Sequence, residues 1–149
     1  MSATLPARRR RARLRFSDWL LLAEALAALA VASAAIHFLA FRRLAAAASR
    51  GEAGIVPDET RLRKLRWAVQ AWAKRVPWRA VCFQRGLAFH WMLRRRGIAS
   101  RLHYGVSPTG ERGISAHVWI SVGDRDWMGG EEASRFKCLA IFPAASGQA

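Results

Sequence analysis

The chain has 149 residues, 52% of them apolar, with seven Trp and seven Phe: enough for one domain with a real core, and too hydrophobic for a disordered chain. Two cysteines, Cys82 and Cys138, exclude a disulfide-dense scaffold and a Cys-rich zinc module, and they fit a reducing, cytoplasmic setting. The net charge of +15 suits a polyanion, an anionic membrane face or an acidic peptide, but only Lys64, Lys74 and Lys137 are lysines, and such an Arg and Ala bias is also what GC-rich coding produces, so charge alone does not select nucleic acid as the partner.

Residues 1–15 carry Arg8, Arg9, Arg10, Arg11, Arg13 and Arg15, a self-repelling run that should stay solvated. From Trp19 to Phe41 the sequence turns apolar and Ala-rich, superficially like a signal peptide with Ala32-Ser33-Ala34 as its small-residue site. Asp18 at the entrance and Glu24 inside the run argue against export or spanning, because a carboxylate near the centre of a membrane helix costs roughly 2.5–3.5 kcal/mol. Trp19, Leu22, Leu26, Leu29 and Ile36 instead share one helical face, predicting a helix packed on the domain or on a partner, with membrane contact through residues 19–41 as the alternative.

Residues 1–50 therefore read as a basic N-terminus and an apolar helix, residues 51–60, with Gly51, Gly54 and Pro57, as a linker, and residues 61–149 as the main domain. Arg61 to Lys74 reads as a helix with Leu62, Leu65, Val69 and Trp72 on one side. Pro77 should open a second helix, running from about Ala80 to Arg96 and stopped by Gly97. Arg101 to Val106, His117 to Val122 and Asp126 to Met128 read as short strands separated by turns. Helices followed by antiparallel strands make an α+β fold.

Cys82 falls in the first turn of the second helix, where unpaired backbone N–H groups and the helix dipole favour a thiolate. Gly86, one turn on, leaves room on the same face. Strand alternation places His117, Trp119 and Ser121 together, so an imidazole held on a strand can meet a cysteine held at a helix start. That pair is sufficient for acyl transfer: the imidazole takes the thiol proton, the thiolate attacks a carbonyl carbon, and the imidazolium protonates the leaving amine. His37, His90 and His103 read as packing or surface residues, and Cys138 as a packing residue. No His or Cys spacing suggests a metal site, and no cofactor is implied.

The stretch Val76-Pro-Trp-Arg-Ala-Val-Cys82-Phe-Gln-Arg-Gly-Leu-Ala-Phe89, then Leu93-Arg-Arg-Arg-Gly-Ile-Ala-Ser-Arg-Leu-His-Tyr-Gly-Val106, then Ala116-His117-Val-Trp-Ile120, resembles the transglutaminase-like cysteine peptidases of lasso-peptide biosynthesis. The resemblance covers about residues 61–143, and the helix ending in Phe41-Arg42-Arg43-Leu44 is also similar to that family's N-terminal region. It implies a papain-like or transglutaminase-like core, and a leader peptidase that cuts a ribosomally made precursor before an ATP-dependent cyclase closes the macrolactam. It further implies a separate leader-recognition protein, since the chain has no room for that domain, with Cys82 as nucleophile and His117 as base.

The departure lies in the third member. Gly129 stands where the family commonly has an orienting Asp. A three-residue loop at Gly123-Asp124-Arg125 would set Glu131 opposite His117, whereas a two-residue loop at Gly123-Asp124 favours Glu132; Glu131 is preferred because it shares face parity with Gly129. The oxyanion donor stays open among the Cys82 N–H, Gln70 and Gln84. Two alternatives stand beside the peptidase: a catalytically weakened, basic module binding peptide or nucleic acid, and acyl transfer to an amine instead of water.

Overall fold

The computed structural model describes residues 14–40, 43, 44, 46, 48, 54, 55, 57–110 and 113–143. The Arg run through Arg13, and the part of the expected linker at residues 51–53 and 56, lie outside the described residues.

Helix α1 (Phe16–Phe38) is built from residues with high helix propensity, and its start is fixed by Asp18, whose carboxylate accepts the Arg15 backbone N–H at 2.9 Å. Its packing face shares Leu22, Leu29 and Ile36 with the expected stripe and is completed by alanines. Leu22, Ala25, Leu29, Ala32 and Ala35 are buried, while Trp19, the first residue of the expected stripe, is exposed. Alanines allow a close approach to neighbouring helices, so the helix is rolled to put its small residues inward. Glu24 is held from the other side by Arg96, whose two terminal nitrogens reach its oxygens at 2.8 and 2.5 Å, and this pairing keeps its carboxyl below the usual range.

Helix α2 (Glu59–Ala73) is capped by Asp58, which accepts the Thr60 N–H at 3.3 Å, and buries Leu62, Leu65, Ala68 and Val69. Helix α3 (Cys82–Arg94) begins five residues after Pro77, which lies in a bend, so that proline shapes the connection and does not open the helix. Its stop is as expected: Gly97 has φ +68, and the Ile98 and Gly97 N–H groups turn back to the carbonyls of Leu93 and Arg94 at 3.1 and 3.0 Å.

Strands β1 (Arg101–Gly110), β2 (Gly113–Val122), β3 (Arg125–Met128) and β4 (Lys137–Phe142) form one antiparallel sheet in the order β3-β2-β1-β4. β4 was not anticipated from the sequence, and Cys138 lies on it, exposed, instead of packed in the core. A 3-10 helix (Gly130–Arg135) joins β3 to β4. α3 lies against β2 at Gly86, where an added Cβ would sit 2.8 Å from Val118 Cγ1. One hydrophobic core runs from Leu22 and Leu29 of α1 through Leu65 and Phe89 to Val118 and Ile120 of the sheet.

Because α1 contributes to that core, removing residues 1–45 should expose the inward faces of α2 and α3 and abolish cooperative unfolding, read as loss of a sigmoidal melt by circular dichroism. A truncated chain that melts like the full one would mean that the core closes without α1.

His90 supplies a second test. It is wholly buried, donates from Nε2 to the Ala48 carbonyl at 2.9 Å and so accepts the Ser100 hydroxyl at Nδ1, also at 2.9 Å. Burial pushes its pKa from 6.5 down to about 4. The unfolded chain takes up this proton near pH 6.5 and the folded chain only near 4, so the stability contribution is whole above pH 6.5 and is lost as pH falls towards 4. The loss should reach about 3 kcal/mol. Denaturant titrations at several pH values should show a shallower decline for His90→Gln than for wild type; parallel curves would rule this residue out as the cause.

Candidate active site

Cys82 is the first residue of α3 and half-buried. The N-cap is Val81, which has no side-chain acceptor, so no capping group competes for the N–H groups of the first turn. The close approach at Gly86 brings this end of the helix to β2.

On β2, His117 is paired in register with Gly105 of β1. The missing side chain at Gly105 is what the local packing requires: a Cβ there would meet Trp119 Cζ3 at 2.8 Å and Phe136 Cβ at 3.0 Å. The His117 ring stacks on Phe136 with centroids 4.9 Å apart and on Trp119 at 6.1 Å, and Trp119 stacks in turn on His103 at 5.2 Å. His103 is tied to the Ser121 hydroxyl at 2.7 Å, and burial lowers its pKa. This ladder of rings fixes the plane of the His117 imidazole.

A backbone group fixes its tautomer. His117 Nε2 lies 2.7 Å from the Gly129 carbonyl oxygen. A carbonyl can only accept, so Nε2 carries the proton and Nδ1 of the neutral ring is left with a lone pair.

Glu131, expected to orient His117, is directed elsewhere. Its carboxylate pairs with Arg66 of α2 at 2.7 Å and is largely exposed. The reason is the path of the chain. The turn is the two-residue loop Gly123-Asp124, with Val122 opposite Arg125, and an irregularity in the ladder then sets Ile120 opposite Met128. That extra residue in β3 restores the parity of a three-residue loop and would bring Glu131 opposite His117 if the strand continued. It does not continue: Gly129 has φ +77 and turns the chain into the 3-10 helix.

The early end of β3 leaves the His117–Trp119 edge of β2 unpaired by β3, and a cavity of about 240 Å³ opens against it. Cys82 and His117 both line this cavity, with Gln70 and Arg85 from the helices and Glu131 and Glu132 from the 3-10 helix. The Arg85 Nε is buried without a hydrogen-bond partner among the described residues. Of the other expected site residues, Gln70 is present in the lining. His37 is exposed, His90 belongs to the core, and Cys138 lies on the exposed face of β4. Among the described residues no three His, Cys, Asp or Glu side chains are grouped as metal ligands.

The family model described as the transglutaminase-like superfamily matches residues 23–140. The chain belongs to that superfamily. No match is found among the curated proteins or the solved structures. The transglutaminase-like match begins inside α1 and ends in β4, so it takes in most of the hydrophobic helix, the residues lining the cavity and most of the fourth strand.

Sequence reasoning missed Gly105, Phe136 and Arg66 as parts of this site. A glycine inside a β-branched and aromatic strand was a usable signal for close approach; Phe136 and Arg66 carry no local signal, because the fold alone brings them in.

At Gly129 a Cβ would lie 2.6 Å from the Val118 carbonyl oxygen and 3.2 Å from His117 Nε2, in a backbone conformation that disfavours L side chains. Gly129→Ala should therefore destabilise the protein by about 1–3 kcal/mol. An unchanged denaturant midpoint would show that the turn accepts a side chain.

Proposed function

We propose that this chain is a cysteine endopeptidase that removes the leader from a ribosomally made, lasso-type precursor peptide in the cytoplasm. The observation that carries the reading is that Cys82, at a helix start, and His117, on a strand, line one cavity in a transglutaminase-like chain. Residues 61–149 supply the side chains of the site.

In this mechanism Nδ1 of His117 takes the proton of the Cys82 thiol, while Nε2–H stays on the Gly129 carbonyl. The thiolate attacks the scissile carbonyl carbon, and the oxyanion of the tetrahedral intermediate is met by the Cys82 N–H and the Gln70 side chain. Collapse breaks the C–N bond, the imidazolium protonates the departing amine, and a thioester remains on Cys82. Water, deprotonated by His117, then hydrolyses the thioester and returns the thiol. Glu131 acts at one remove, bracing the Gly129 turn through Arg66. A separate leader-recognition protein presents the precursor, and an ATP-dependent macrolactam cyclase consumes the product.

The test is cleavage of a lasso-type precursor by the purified full chain, with and without a leader-recognition protein, followed by mass spectrometry. Cys82→Ala and His117→Ala should each reduce turnover by about 10⁴ or more. Glu131→Gln should retain turnover within about tenfold, because the tautomer is held by the backbone. Cleavage by Cys82→Ala at the wild-type rate would sink the proposal, and a product carrying an added primary amine would turn it into acyl transfer.

A further inference from the structure

The outward face of α1 is inverted relative to an ordinary surface helix, which puts charged side chains towards water. Its exposed positions include Phe16, Leu20, Ala27, Val31, Ala34 and Phe38, and no exposed position of the helix holds a Lys, Arg, Asp or Glu. Phe16 and Phe38, at its two ends, are 77% and 83% exposed. Both carboxylates of α1 are turned to the protein and neutralised there: Asp18 by Lys64 at 3.6 Å, Glu24 by Arg96. An apolar stripe that runs the length of a 23-residue helix therefore faces outwards.

Its borders are aromatic and cationic. On one side a groove is lined by Trp72, Arg75 and Trp78 against Leu26 and Ala30; on the other, Trp91 and Arg95 stand against Ala27 and Val31. Lys74, Arg75, Trp78 and Arg79 are exposed in the connection beside it. Six arginines between residues 8 and 15 immediately precede the helix. Apolar side chains flanked by Trp and Arg form the arrangement of a helix lying at a membrane interface, with its apolar face among the acyl chains and its cations at anionic headgroups.

We propose that α1 docks this protein in the plane of an anionic membrane surface, as an in-plane helix and not a spanning one. By length and composition α1 is long and apolar enough to cross a bilayer. Spanning would strip Leu22, Ala25 and Leu29 from the core and carry Glu24 into hydrocarbon away from Arg96. In-plane docking keeps every one of those contacts and covers only the stripe that the fold leaves open. The proposal does not depend on the peptidase reading, since binding is measured without turnover.

The test is flotation of the full chain with vesicles of phosphatidylcholine and phosphatidylglycerol, against vesicles of phosphatidylcholine alone. Binding should be at least roughly tenfold stronger to the anionic vesicles and should weaken as salt is raised. Leu20→Glu combined with Val31→Glu changes two exposed positions, so a wild-type melt is expected together with at least tenfold weaker flotation. Ala27→Lys, on the same stripe, serves as an independent second variant. Protein bound to cell membranes should be released by alkaline carbonate; resistance to that wash would establish spanning and overturn the proposal. Unchanged flotation in both variants would assign binding to the Arg run alone. Self-association abolished by the same variants, without vesicle binding, would make the stripe a surface between copies of the chain; either result overturns it.

Discussion

The candidate site rests on one backbone event, the left-handed turn at Gly129. A strand that continued past Met128 would pair with the His117–Trp119 edge of β2 and fill the space where the cavity now lies. The turn ends the strand, aims a carbonyl at His117 and leaves the edge open. It has little freedom to do otherwise, because the Val118 carbonyl oxygen, His117 and the Trp119 backbone crowd the place where a side chain would be. Gly130 is similarly restricted by Asp126, so the Gly-Gly pair is required by contacts on both sides. The ring ladder completes the arrangement, with Gly105 making room for Trp119 and Phe136 around His117.

The helical half has its own close approach. Gly86 lets α3 settle on Val118 and Ile120, and that contact determines where the start of α3, and with it Cys82, meets the sheet. α1 supports α3 from behind with alanines, and Arg96 at the far end of α3 reaches back to Glu24. The N-terminal helix is thus part of the fold that positions the cysteine, while its outer face remains apolar. These two properties belong to the two sides of one helix, and the periodicity of its large side chains found the inner one at Leu22, Leu29 and Ile36 but not the exposure of Trp19.

Much of this was legible in the sequence where local chemistry dictates geometry. The Gly97 stop of α3, Cys82 in a first helical turn and the alternation around His117 all follow from residue type and spacing. What was not legible depends on contacts between distant segments. The inward roll of α1 is decided by the shape of α2 and α3; the irregularity opposite Ile120 is decided by how β3 meets β2; and Arg66 takes Glu131 only because α2 passes beside the 3-10 helix. β4 gives no strong local signal, because its residues are mostly exposed and alternate weakly.

The carbonyl at Gly129 also separates two roles that a carboxylate combines. An orienting Asp holds the imidazole in one tautomer and supplies a full negative charge opposite the imidazolium formed during acyl transfer. A backbone carbonyl does the first as well, since it too accepts only, but it opposes the imidazolium with a dipole instead of a charge. Carboxylates are nevertheless near: Glu131 and Glu132 line the same cavity, with Glu131 partly neutralised by Arg66. Charge in the cavity is therefore set by a balance between Arg66, Arg85 and these two glutamates, while the geometry of His117 is set by the backbone. In a site built this way, substitutions at the glutamates change the field around Cys82 and His117 without releasing the ring, and substitutions at Gly129 release the ring.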